Sequence, residues 1–123
     1  MQISEAEFEI MKVIWSSADA MPSRDIIDVL SKLKDWKPKT VRTLISRLVQ
    51  KEALAFYKGK NHLYYAKVTE EECLQEASNS FLDRFFGGSL KPMLSHFANN
   101  PKISNEDTEM LRQILDKHGE DSK

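Results

Sequence analysis

Cysteine is almost missing from this 123-residue chain, where Cys73 stands alone. One thiol excludes an internal disulfide framework and any cysteine cluster for zinc or copper. Long apolar runs are missing too: none approaches the ~18 residues a membrane span needs. Residues 1–20 lack the charged start and apolar core of a signal peptide. A soluble, cytoplasmic protein with no membrane insertion is expected. The three histidines, His62, His96 and His118, are scattered, without a metal-ligand spacing such as H-E-x-x-H. Catalysis needs convergent polar groups with tuned pKa values, and no such grouping stands in the sequence. Neither enzymatic activity nor a metal, cofactor or small-molecule ligand is expected. Cys73 itself falls inside an amphipathic stretch and reads as a packing residue.

What is present is unevenly distributed charge. The net charge is -1. Between Pro22 and Lys67 eleven lysines and arginines face four acidic residues, whereas the remainder holds seven against fifteen. A basic middle between an acidic start and tail suggests that one stretch meets a polyanion while the tail does something else.

The order of elements narrows this. Ser4-Glu5-Ala6-Glu7 is an S-x-x-E capping box opening a helix that carries Phe8, Ile10, Met11, Val13, Ile14 and Trp15. Asp19 to Pro22 breaks it. Ser23 is expected to cap a second helix with Ile26, Val29, Leu30 and Leu33 at helical spacing. Pro38 suits the first position of a third, over residues 38–51. Two β-prone segments, Leu54 to Lys58 and Leu63 to Val68, flank a hairpin loop at Gly59–His62. Three helices and a hairpin form a winged helix, although an unrelated small α+β domain has the same ingredients. The expected fold class is mainly α with a small β-hairpin: a winged helix-turn-helix domain over 1–68, then a helical dimerisation domain over 69–123.

On a helical wheel Val41, Leu44, Ile45 and Leu48 make an inward stripe. Lys39, Arg42, Thr43, Ser46, Arg47 and Gln50 gather opposite, with Thr40 at the edge and no acid between Thr40 and Lys51. Such a face suits a DNA groove: arginine can hold guanine O6 and N7, glutamine can pair with adenine, and threonine can meet a thymine methyl. Residues near the helix start are best placed for base edges. Lys58, Lys60, Asn61 and His62 would form a phosphate-contacting wing, which positions a domain without reading sequence. Tyr57, Tyr64 and Tyr65 could stack on bases or simply pair across the strands.

After Thr69 the pattern becomes three short amphipathic helices. The first, opened by Thr69-Glu70-Glu71-Glu72, is stopped by Gly87-Gly88; the second starts at Ser89; the third is capped by Ser104 and ends near Gly119. They are too short to bury all their apolar surface alone. Leu74, Phe81, Phe85, Leu94, Phe97, Leu111, Ile114 and Leu115 are the expected interface of a homodimer, the alternative being that they fold back on the winged domain. A two-fold pair would set two reading helices on a palindromic site, one helical turn or a multiple of it apart.

Ile3 to Glu7, Val13-Ile14-Trp15, the run Asp35-Trp36-Lys37-Pro38-Lys39-Thr40-Val41-Arg42-Thr43-Leu44-Ile45-Ser46-Arg47-Leu48, and Phe81 through Gly88 closely resemble the penicillinase-repressor family. The likeness covers essentially the whole chain. It implies a winged-helix homodimer occupying palindromic operators of β-lactamase or penicillin-binding-protein genes. Lys39, Thr40, Arg42, Thr43 and Arg47 then lie on the DNA-facing helix. It also implies induction by a membrane-bound sensor protease that cuts the dimerisation region. Relatives cut in this way carry an Asn-Phe bond, where this chain has His96-Phe97. The Cys-x-Cys motifs of a copper-responsive branch are missing, and Lys37 stands where relatives often place a serine cap. A winged regulator with another inducer, or one whose basic face binds an acidic protein, stays open as an alternative.

Overall fold

The computed structural model describes residues 2–121, with side chains through Ile114 and at Asp116. Helix α1 (Glu5–Trp15) starts as its capping box dictates. The Ser4 hydroxyl accepts from Glu7 N at 3.1 Å and the Glu7 carboxylate accepts from Ser4 N at 2.9 Å. Strand β1 (Met21–Pro22) leads directly into α2 (Ser23–Lys34), and α3 (Pro38–Gln50) follows after three residues. The hairpin is β2 (Leu54–Tyr57) and β3 (Leu63–Ala66). Then come α4 (Glu70–Phe86), α5 (Leu90–Ala98) and α6 (Asn105–Asp121).

Two compact units divide at Ser78/Asn79, inside α4. In the first, α1, α2 and α3 surround a core of Ile10, Met11, Ile14, Ile26, Leu30, Val41, Leu44, Ile45 and Leu48, closed by Ala53 and Leu54. Burying such side chains contributes about 1.5–3 kcal/mol each, so the inward stripe of α3 fixes which face stays outside. The sheet has the order β1-β3-β2, antiparallel throughout. The Trp15 indole N–H donates to the Val68 carbonyl at 3.0 Å, tying α1 to the chain leaving the sheet.

Four details depart from the sequence reading. The sheet has a third strand, β1, whose pairs are Met21 with Tyr64 and Pro22 with Leu63. Ser23 does not cap α2 but is its first residue; Pro22 occupies the cap and offers no side-chain bond. Leu33, expected on the buried stripe, is 71% exposed because the last turn of α2 runs past the core. Helix α6 continues through Gly119 to Asp121.

Helix α3 ends in a Schellman motif, with Ala53 N bonding the Leu48 carbonyl and Glu52 N bonding that of Val49. Glu52 takes the left-handed conformation (φ 65°) that glycine usually supplies there. In the second unit, Gly87 and Gly88, at φ 60° and 82°, end α4. Ser104 and Asp107 exchange side-chain bonds with each other's backbone N–H and start α6.

Candidate nucleic-acid interface

Pro38 is the first residue of α3 and Lys37 its cap, without a side-chain bond to the free N–H groups. Behind the helix Val41, Leu44, Ile45 and Leu48 are buried; in front Lys39, Thr40, Arg42, Thr43, Ser46, Arg47 and Gln50 are all exposed. The Thr43 hydroxyl donates to the Lys39 carbonyl at 3.0 Å. Its proton is therefore spent, and Thr43 presents a methyl and acceptor lone pairs.

Ion pairing separates the cations of the basic middle. Lys34 reaches Glu9 at 3.9 Å, Lys32 reaches Asp28 at 3.4 Å, and Lys51 reaches Glu7 at 2.6 Å. Arg24 lies 3.8 Å from Asp25, both well exposed. Among the described residues no carboxylate pairs with Lys37, Lys39, Arg42, Arg47, Lys58 or Lys60. Lys67, just after β3, is likewise exposed and unpaired, so most of the unneutralised charge stands on α3 with its cap and on the hairpin tip. A face with no counterion of its own attracts a polyanion.

At that tip Lys58, Lys60, Asn61 and His62 are exposed. The His62 ring stacks on Phe56 at 4.2 Å, and Tyr57 stacks on Tyr65 at 4.6 Å. The tyrosines and Phe56 form cross-strand pairs that stiffen the wing. A cleft of about 320 Å³ lies between the hairpin loop and the start of α2, with Arg24 on its wall. Sequence reasoning missed Arg24, since only the β1–β3 register brings it to the wing.

Cys73 is buried in the first unit. Burial pushes its thiol pKa up, and Glu76 and Glu72 push the same way, which suits packing and not nucleophilic attack. Among the described residues no helix is long and apolar enough to cross a membrane.

The second unit contributes no buried residue among its described side chains. Phe81, Phe85, Leu90, Met110, Leu111 and Ile114 are exposed, as is Leu74 at the start of α4, while Leu94 and Phe97 are half-buried. Leu115 lies outside the described residues. Phe81 packs on Phe85 and Phe86 at ring distances of 5.1 and 5.7 Å. His96 and Phe97 fall in the last turn of α5, with His96 exposed.

The model of the penicillinase repressor family matches residues 3–117. The chain belongs to the penicillinase-repressor family. It is 40% identical over 118 residues to the penicillinase repressor of Bacillus licheniformis, covering 95% of this chain and 91% of that one. Identity to the penicillinase repressor of Staphylococcus aureus is 34% over 116 residues, 94% of this chain and 91% of the relative. The solution structure of the DNA-binding domain of the repressor BlaI superposes with a TM-score of 0.53 at 40% identity, covering 58% of this chain and 87% of that one. Bacillus licheniformis BlaI in its monomeric form, solved with the blaP half-operator, gives 0.52 at 38% identity, over 58% and 88% of the two chains. A penicillinase-repressor winged helix is therefore the fold of the first unit.

Proposed function

We propose that this chain is a transcriptional repressor that binds palindromic operators as a homodimer. The carrying observation is the exposed, acid-free and unpaired basic face of α3, backed by four buried aliphatic residues. In this reading residues 1–68 form the DNA-binding domain. Lys39, Thr40, Arg42 and Thr43 read base edges, Ser46 and Arg47 reach bases or backbone, and Lys58, Lys60 and Asn61 hold phosphates. The relative solved on a half-operator supports reading one half-site per protomer.

Residues 69–123 form the dimerisation domain. Within it, the stretch from Asn79 onward has exposed aromatic and aliphatic side chains and no buried residue among those described, and such a surface gains most from a second copy. Pairing two weak half-site contacts raises affinity through effective concentration. Family membership supports control of β-lactam-resistance genes, relieved when a membrane-bound sensor protease cuts the dimerisation region; the candidate bond is His96-Phe97, where His96 replaces the asparagine of relatives cut in this way. That bond lies inside α5, so the last helical turn has to open before a protease can hold it in an extended form.

Selection from a randomised duplex library tests the reading. A palindromic consensus should emerge, its affinity falling with salt. Equal binding to every duplex, or none, contradicts it. Exposure of producing cells to a β-lactam should yield a fragment ending at His96 if the protease reading holds.

A further inference from the structure

The cleft between α2 and the wing is not covered by the reading face of α3. Its position follows from strand register. Pro22 pairs with Leu63, so the chain leaves that point on one side as Ser23-Arg24 and on the other as His62-Asn61-Lys60. The two walls therefore diverge from a common hydrogen-bonded base. Tyr64 lies at that base, and the open cleft has a volume of about 320 Å³.

The chemistry of the walls is one-sided. Arg24 supplies a guanidinium, Lys60 an ammonium, Asn61 an amide and Ser23 a hydroxyl, and no lining residue is acidic. Arg24 has Asp25 beside it at 3.8 Å, a long pair between exposed side chains that leaves guanidinium donors free. His62 is steadied by its stack on Phe56, which keeps the hairpin side of the cleft in place. Cationic and neutral donors lining one cleft, with no acid among them, suit an oxyanion.

We propose that Arg24 and Lys60 grip one and the same phosphate of the DNA backbone in this cleft, clamping α2 and the wing onto a single phosphodiester. The proposal rests on the repressor reading and adds Arg24 to it, with a shared ligand instead of independent surface contacts. A clamp of this kind sets the angle at which α3 enters the groove while carrying no sequence information.

Salt dependence distinguishes a shared phosphate from two separate ones. Each phosphate neutralised contributes about 0.9 to the slope of log affinity against log salt. The full-length chain and its Arg24→Gln, Lys60→Gln and double variants would be titrated by fluorescence anisotropy against the library-selected duplex and a scrambled one. With a shared phosphate either cation alone still neutralises it. Each single variant should then lower the slope by well under 0.9 and the double variant by about 0.9, with unchanged preference between the duplexes. Single losses of about 0.9 each that sum in the double variant mean separate phosphates and overturn the clamp. Unchanged slopes also overturn it. If, with unchanged slopes, inorganic phosphate shifts the amide resonances of Ser23, Arg24 and Asn61, the cleft is instead a free-anion site. Failure of the wild type to prefer the selected duplex would reject the repressor reading itself, whereas additive slopes with that preference intact reject only the clamp.

Discussion

Lys51, which closes α3, donates from Nζ to Glu7 Oε1 at 2.6 Å and to the Gln2 carbonyl at 2.7 Å. Glu7 is 2% exposed, and its Oε2 is buried without a partner among the described residues. Burial raises the carboxyl pKa, but bonds from Lys51 and Ser4 outweigh it and hold the group below its ordinary 4.5. Helix α3 is thereby fastened at its C-terminal end to the start of α1. Two of the Lys51 ammonium donors are thus engaged within the protein.

A depressed carboxylate stabilises the fold above its unfolded pKa, and this contribution is lost as pH falls through the folded value. Denaturant titrations should show stability declining below about pH 4.5, with a flatter decline in Glu7→Gln. Equal pH dependence in the two proteins would contradict this assignment. At neutral pH Lys51→Met should cost about 1–3 kcal/mol, less than the ~3–5 of a wholly buried pair, since Lys51 still reaches water.

The start of α3 leaves room for improvement. Lys37 occupies the cap without bonding the free N–H groups. Lys37→Ser should therefore stabilise the protein by about 1 kcal/mol, read as a higher urea midpoint with an unchanged m-value. No gain would mean that these N–H groups are already satisfied by water.

The tail predicts an oligomeric state. Phe85 is 62% exposed, so replacing it should leave the first unit's fold intact. Phe85→Asp should shift sedimentation toward the monomer, since a charge buried without a partner is costly, with helical circular dichroism largely kept. A wild-type monomer at micromolar concentration, unchanged by removal of residues 69–123, would contradict the dimer.

Much of this was legible in the sequence because it is local. The Val41/Leu44/Ile45/Leu48 stripe repeats with the helical period, and Ser4 and Glu7 stand three apart as a capping box requires. The apolar spacing of the tail helices is local too, but α4 and α6 run 17 residues each and are the longest helices of the structure, not the short ones expected. Other features needed the folded chain. Met21–Pro22 is two residues long and has no period, so β1 gave no signal. Pro22, and not Ser23, occupies the cap of α2, which no local spacing announces. Lys51 and Glu7 lie 44 positions apart, and Arg24 meets the wing only through the Pro22–Leu63 register. Tertiary register carries no local signature.

Comparing wild type with Arg42→Ala on the library-selected palindrome and on scrambled duplex at fixed salt tests the central claim most directly. Wild type should bind the palindrome at least ~10³-fold more tightly than the scrambled duplex. Arg42→Ala should lose about 1–3 kcal/mol on the palindrome, and with it the preference at the base it reads. Unchanged affinity and preference in the variant, or no preference in the wild type, would contradict the assignment of α3 as the reading helix.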